Sequence, residues 1–182
     1  MTLPAQRSPA GAAALAALLL ATSACTTMED APAERIGSAT LSLANGMPAG
    51  TVQLLAAGDT VTLVAAAAGM TQGARGFHLH TTGQCTAPDF TSAGGHLNPQ
   101  DRSHGKESAG GAHFGDLPNL VFDERQSAAL TYALRGSRQD VEQWVFDADG
   151  TAVIIHANAD DYRTDPTGNA GARVACGVIR RN

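Results

Sequence analysis

Lysine is almost absent from the sequence, and basic residues are few overall. Lys106 is the only lysine among 12 basic residues, whereas aspartate and glutamate number 17, so the formal net charge at pH 7 is -5. Binding of nucleic acid depends on clustered lysine and arginine side chains that neutralise phosphates. We therefore expect no nucleic-acid partner.

Long apolar runs are also lacking, apart from a short one near the N-terminus. Residues 12–21 are apolar but too few to cross a bilayer as a helix. They follow the basic residue Arg7 and precede the sequence TSAC at residues 22–25. This order of a basic residue, a short apolar run and small residues is typical of an export signal. We predict that residues 1–24 are a signal peptide and that the protein is exported to the periplasm.

Cys25 has two interpretations. Small residues before a cysteine resemble a bacterial lipobox, in which the cysteine is lipidated and becomes the first residue; acyl chains would then tether the protein to a membrane. The alternative is ordinary cleavage after Ala24. The polar, proline-containing residues 25–34 predict a flexible tether, followed by one domain over residues 35–182.

Cysteine is scarce, with three residues in the chain: Cys25, Cys85 and Cys176. If Cys25 carries lipid, the other two remain as a pair. Because an exported protein meets an oxidising compartment, we predict a disulfide between Cys85 and Cys176. The alternative is two buried free thiols.

Aromatic residues make up only 4% of the sequence, while glycine numbers 20, which favours a loop-rich all-β domain. Short segments with strand-like patterns are divided by turn residues, and no segment after the signal shows helical periodicity. We predict an antiparallel sandwich or flattened barrel. The eight predicted strands are residues 39–43, 51–56, 60–66, 75–81, 120–123, 128–134, 151–156 and 172–179.

Two long irregular loops, residues 82–116 and 157–171, interrupt the predicted strands. Structureless loops of such length in a compact domain are uncommon and usually functional. Residues 136–150 are also predicted to be irregular.

All six histidines lie at strand ends or in the first long loop. His78 and His80 are separated by one residue on a predicted strand, so both project from one face while Leu79 points to the core. Neutral imidazoles suit copper and zinc, so the pair predicts part of a metal site; alone, it could equally be two unrelated surface side chains. The remaining candidates are His156 at another strand end and His96, His104, His113 and Asp116 in the loop.

Six motifs, in order along the chain, resemble those of the copper/zinc superoxide dismutase family in its exported bacterial form. The resemblance covers residues from about 36 to 180. Any one motif is weak, but all of them together, with every ligand present, are specific. The motifs are GFHLH at residues 76–80, SAGGHLNP at 92–99, SHG at 103–105, HFGDLPN at 113–119, HANADD at 156–161 and GNAGARVACGVI at 168–179.

The resemblance implies an eight-stranded antiparallel Greek-key barrel, immunoglobulin-like, with two long functional loops and one copper and one zinc ion per subunit. It implies that His96 bridges the two ions, with one ring nitrogen on each. Three histidines and a carboxylate form a closed tetrahedral set for zinc, and four imidazoles suit Cu(II). Copper would be bound by His78, His80, His96 and His156, and zinc by His96, His104, His113 and Asp116.

Two further residues gain roles from the resemblance. Asp160 is implied to bridge the copper ligand His78 and the zinc ligand His104, which would fix the orientation of both rings. Arg173 is implied to stand beside the copper, where its guanidinium would attract a small anion.

The implied function is the dismutation of superoxide to dioxygen and hydrogen peroxide, which would protect the cell envelope. Arg173 would attract the superoxide anion, and His96 would supply a proton. The alternative is an exported copper or zinc carrier without turnover, which would need neither an open redox position nor an anion guide such as Arg173. A zinc hydrolase is excluded because the predicted zinc set is closed to water. We expect a monomer or a homodimer.

Overall fold

The computed structural model describes residues 1–2 and 32–182. The predicted lipidation site Cys25 lies outside these residues, as do nearly all of the predicted signal peptide and tether. Among the described residues, no helix is long and apolar enough to cross a membrane.

The domain consists mainly of antiparallel strands, and each predicted strand overlaps an observed one, so the predicted all-β fold is confirmed. The predicted strand at residues 75–81 is interrupted at Gly76, and the last short strand has no counterpart in the prediction. Within residues 32–182 the strands are β1 (Glu34–Leu43), β2 (Pro48–Ala57), β3 (Thr60–Ala68), β4 (Gly73–Arg75), β5 (Phe77–His80), β6 (Leu120–Phe122), β7 (Ser127–Ala133), β8 (Ala152–His156), β9 (Arg173–Val178) and β10 (Arg180–Arg181). A 3-10 helix covers Thr91–Ala93, and an α-helix, α1, covers Arg138–Val145.

The strands curl into a Greek-key barrel. The main sheet has the order β5-β8-β9-β1-β2-β3-β7, and β10 also pairs with β1. At one end, a tight turn joins β7 to β6, with the Asp123 N–H donating to the Ser127 carbonyl over 2.9 Å. β6 pairs with β4, which leads through Gly76 into β5 at the other end of the order. The connections from β3 to β4 and from β7 to β8 skip neighbouring strands, as Greek-key connections do.

Alternation along β5 and β8 separates the barrel core from the histidines. Leu79 is fully buried in the core, whereas His78 and His80 project from the opposite face of β5. On the neighbouring strand β8, Ile155 lies in the core and His156 projects outward. The three histidines are nevertheless buried, because loops cover this outer face. The barrel therefore presents three imidazoles side by side beneath the loops.

A second, smaller apolar cluster lies on the outer face of the barrel. It packs Phe90 of the first loop against Ile154 of β8 and Cys176 of β9. Cys85 and Cys176 form a disulfide across a sequence separation of 91, which confirms the predicted pairing. The cluster and the disulfide fasten the start of the first long loop to the barrel.

The prediction that residues 136–150 are irregular is wrong, because they contain α1. The Ser137 hydroxyl accepts a hydrogen bond from the Asp140 N–H (3.1 Å), and the Asp140 carboxylate accepts one from the Ser137 N–H (3.0 Å). Val141 and Val145, four residues apart, are buried in the core. Eight residues are too few to show a convincing helical period. The Ser-x-x-Asp spacing of the cap is the sequence signal that identifies this helix.

Removal of the disulfide should destabilise the domain by up to about 4–5 kcal/mol, since the bond closes a loop of roughly 90 residues in the unfolded chain. We expect the double variant Cys85→Ala, Cys176→Ala to unfold at lower urea concentration than the wild type, with both proteins free of metal. Reduced wild-type protein is the matched control and should unfold like the variant. Equal unfolding free energies for oxidised and reduced wild-type protein would contradict the prediction.

Candidate metal centre

The first long loop reaches the barrel by pairing its backbone with β5. The Leu79 N–H donates to the Gly115 carbonyl (2.9 Å), and the Leu79 carbonyl accepts from the Leu97 N–H (2.8 Å). A further bond from the Gly115 N–H to the Leu97 carbonyl (2.8 Å) joins the two loop segments to each other. This pairing places His96 opposite His80 in antiparallel register.

A set of four buried histidines forms where β5, β8 and the loop meet. One nitrogen of each ring lies within 4.8 Å of the others. These nitrogens, Nδ1 of His78 and Nε2 of His80, His96 and His156, have no hydrogen-bond partner in the described chain. Buried polar atoms are normally paired, so four unpaired nitrogens that converge on one point indicate a binding site for a cation. We call this group the four-histidine set.

A second buried set adjoins the first and combines three histidines with one carboxylate. The Asp116 Oδ1 atom lies 2.9 Å from His96 Nδ1, 3.1 Å from His104 Nδ1 and 3.2 Å from His113 Nδ1. Ligand atoms about 3.3 Å apart correspond to a tetrahedral ion with bonds of about 2.0 Å, which are zinc distances. The geometry and the chemistry of these donors therefore fit zinc. We call this group the aspartate set.

His96 belongs to both sets. Its Nδ1 faces Asp116 in the aspartate set, and its Nε2 is one of the unpaired nitrogens of the four-histidine set. A single imidazole ring therefore separates the two candidate sites. This is the arrangement that a ring shared between two ions requires.

Backbone carbonyls hold the outer nitrogens of two rings. His80 Nδ1 lies 2.9 Å from the Gly94 carbonyl oxygen, and His156 Nδ1 lies 3.1 Å from that of Gly171. A carbonyl oxygen can only accept, so Nδ1 carries the hydrogen in each ring and Nε2 keeps its lone pair. Both rings are therefore in the tautomer that can bind a metal through Nε2. Sequence reasoning missed these two acceptors.

Asp160 connects the two sets. Its Oδ2 lies 2.8 Å from His78 Nε2, and its Oδ1 lies 3.0 Å from His104 Nε2. The carboxylate is buried between the rings, and a side chain at Gly168 would overlap it. The pairing of Asp160 with His78 and His104 is the one that the family resemblance implies, and it orients the inner nitrogen of each ring toward its set.

Burial keeps most rings of the four-histidine set neutral. It lowers the pKa of His78 to about 3, of His80 to about 2 and of His156 to about 4, because the charged ring loses its hydration. The pKa of His96 is lowered for the same reason. Neutral imidazole is the form that binds metals, so these rings can accept an ion at neutral pH without first losing a proton.

His104 of the aspartate set behaves differently because the carboxylates beside it favour its protonated ring. Burial alone would lower the pKa of His104, but the carboxylates of Asp116 and Asp160 outweigh it and raise this pKa to about 9. Burial of Asp116 is in turn outweighed by His104 and His96, which hold its pKa below the usual range. In the metal-free protein His104 is therefore cationic at neutral pH. The proton on His104 supplies positive charge beside the carboxylates until a metal ion binds and displaces it.

Arg173 is fixed beside the four-histidine set by two carbonyls. Its Nη1 donates to the Phe90 carbonyl and its Nη2 to the Gly94 carbonyl, each over 2.6 Å. The Gly94 oxygen is the same one that holds His80, so the guanidinium and this ring share an acceptor. Arg173 also pairs with His156 in the β8–β9 register. These contacts give a half-buried cation a defined place next to the histidines.

Comparison with known proteins agrees with this site. The family described as copper/zinc superoxide dismutase matches residues 48–179. A copper/zinc superoxide dismutase of Caulobacter vibrioides is 37% identical over 150 residues, which cover 79% of this chain and 84% of the relative. A crystal structure of a SOD-like protein from Bacillus subtilis is similar with a TM-score of 0.72 at 34% identity, covering 78% of this chain and 96% of that chain.

Other relatives match over a smaller share of their own length. Copper/zinc superoxide dismutase 2 of Aquifex aeolicus is 42% identical over 106 residues, 57% of this chain and 62% of the relative. The chain thus spans 62% and 63% of the two Aquifex proteins that it matches. The match of the family nevertheless extends over most of the chain, and the Caulobacter relative is covered over 84% of its length. The chain belongs to the copper/zinc superoxide dismutase family.

Proposed function

We propose that the protein catalyses the dismutation of superoxide, in which two superoxide anions and two protons give dioxygen and hydrogen peroxide. The observation that carries the proposal is the four-histidine set, with one unpaired inner nitrogen on each ring. The set shares His96 with a second group that fits zinc. Family membership supports the same activity.

The family binds copper and zinc, and the structure contains one donor set that suits each metal. The four-histidine set, with four neutral imidazoles, suits copper, and the aspartate set suits zinc. When bound, copper supplies one-electron redox chemistry and zinc supplies fixed positive charge. His78, His80, His96 and His156 would hold the first ion, and His96, His104, His113 and Asp116 the second.

His96 is the residue that we expect to carry a proton. Its Nδ1 stays in the aspartate set, while its Nε2 faces the four-histidine set and has no other partner among the described residues. Uptake and release of a proton at Nε2 would deliver one of the two protons that the reaction consumes.

Arg173 is the cation that we expect to attract and orient superoxide. Two other basic residues near the loops are engaged elsewhere, since Arg163 pairs with Glu107 and Lys106 lies over the ring of Tyr162. Electrostatic attraction at the site would therefore depend mainly on Arg173, whose position is held by the Phe90 and Gly94 carbonyls.

The first test of the function is a superoxide assay on protein loaded with copper and zinc. We expect turnover in the wild type, its loss in His156→Ala, and a decrease in kcat/KM of about tenfold or more in Arg173→Ala, because an oriented cation near the site is removed. Arg125→Ala, which removes the same charge from the turn before β7, is the matched control and should keep the wild-type value.

Ionic strength provides an independent check of the same proposal. The wild-type kcat/KM should fall as salt concentration rises, because salt screens the attraction between Arg173 and the anion. The dependence should be weaker in Arg173→Ala. Tight binding of both metals with no turnover at any salt concentration would indicate a metal carrier and contradict the proposal.

Zinc binding to the metal-free protein should release about one proton at pH 7.5, because His104 is protonated below its pKa of about 9 and must lose that proton to bind. The apparent zinc affinity should accordingly rise with pH, by up to about tenfold per unit, until the pH reaches this pKa. Calorimetry in two buffers of different ionisation enthalpy measures the release. Asp160→Asn should reduce it, and an identical heat in both buffers would disprove it.

We also propose that the protein is exported and protects the cell envelope, with Cys25 lipidated as its membrane anchor. The support is the sequence of residues 1–25 and the disulfide, which suits an oxidising compartment. Mass spectrometry of the mature N-terminus should find acylated Cys25, and Cys25→Ser should move the protein from the membrane to the soluble fraction. An unmodified Cys25 in the mature protein would reject the anchor.

A further inference from the structure

We propose that Tyr162 is a positioning residue that locks the second long loop onto the first and thereby holds Asp160 between the two metal sets. Tyr162 lies two residues after Asp160, within residues 157–171. The inference rests on the proposed function, because it takes the aspartate set to be the zinc site.

The backbone of Tyr162 joins the two loops. Its N–H donates to Asp160 Oδ1 over 2.6 Å, and this oxygen also faces His104 Nε2 at 3.0 Å. Its carbonyl accepts from the Glu107 N–H of the first loop over 3.1 Å. A side chain at Gly105 would overlap the Tyr162 carbonyl, so only glycine allows the loops to approach this closely.

The side chain of Tyr162 makes a third connection. Its hydroxyl oxygen accepts a hydrogen bond from the Asn119 N–H over 2.8 Å. The Asn119 side chain in turn holds the backbone of Asp160, with Nδ2 donating to the carbonyl (3.0 Å) and Oδ1 accepting from the N–H (2.9 Å). Lys106 Nζ lies 4.1 Å from the centroid of the tyrosine ring and covers it. Tyr162 and Asn119 therefore hold Asp160 from two directions.

The backbone conformation of Tyr162 shows how strongly its surroundings constrain it. Its φ angle is +63°, in the left-handed region that a bulky residue rarely adopts. Such a conformation persists only where neighbouring contacts over-determine it. Here the contacts lead either to Asp160 or to the loop segment that contains His104. Their combined effect is to aim the Asp160 carboxylate at His78 and His104.

The test compares the zinc affinity of metal-free wild-type protein and Tyr162→Phe by competition with a chromophoric chelator. Phenylalanine keeps the ring but leaves the Asn119 N–H without its acceptor. Loss of a residue that hydrogen-bonds a metal ligand directly costs about 10–100-fold in metal affinity. Tyr162 acts on the ligand His104 through Asp160, so we expect a smaller loss in Tyr162→Phe, about three- to tenfold. Tyr132→Phe should bind as the wild type, because Tyr132 lines a cavity together with Tyr162 but takes no part in the hydrogen bonds of Asn119 that hold Asp160.

A double-mutant cycle with Asp160→Asn separates positioning from a general effect on loop stability. If Tyr162 acts through Asp160, Tyr162→Phe should weaken zinc binding little further in the Asp160→Asn protein. The visible spectrum of cobalt bound in place of zinc should shift in Tyr162→Phe and not in Tyr132→Phe. Wild-type zinc affinity in Tyr162→Phe, or a full additional loss in the Asp160→Asn background, would overturn the proposal. Zinc affinity is measured without superoxide, so loss of the proposed dismutase function would not be mistaken for either result.

Discussion

The metal centre depends on backbone pairing between β5 and the first long loop. β5 lies at one end of the main sheet order, and its free edge is satisfied by hydrogen bonds from Leu79 to the loop. The pairing places His80 opposite His96 and His78 opposite Asp116. Because side chains alternate along a strand, a slip of one residue would turn these groups to opposite faces and dismantle both sets.

Burial leaves His78, His80 and His156 neutral, whereas the equally buried His104 is charged. Desolvation keeps the rings of His78, His80 and His156 neutral, and for His78 it outweighs the contact with the Asp160 carboxylate. His104 is just as inaccessible to solvent, but it lies between two carboxylates and is charged. One set therefore offers free lone pairs, whereas the other stores a proton that an arriving metal displaces. Asp160 contacts a ring of each set and couples them.

Most of the barrel could be predicted from the sequence because strand alternation is a local property. The alternation around Leu79 is enough to predict that Leu79 faces the core and that His78 and His80 face the other side, whichever strands pair with β5. Helix α1 could not be predicted from periodicity, because it has only eight residues and its stability comes from burying Val141 and Val145 against the barrel. The disulfide could be predicted because few cysteines are available to pair.

The side chains that carry the chemistry can be read from the sequence alone: six histidines, Asp116 and Asp160, in motifs that identify the family. Which nitrogen of each ring faces inward follows only from the folded structure. For His80 and His156 that choice depends on the Gly94 and Gly171 carbonyls. Every residue has a carbonyl, so the sequence carries no mark of those that the fold aims at a ring. The role of Tyr162 is hidden for the same reason, since it arises from contacts between two distant loops that share no local pattern.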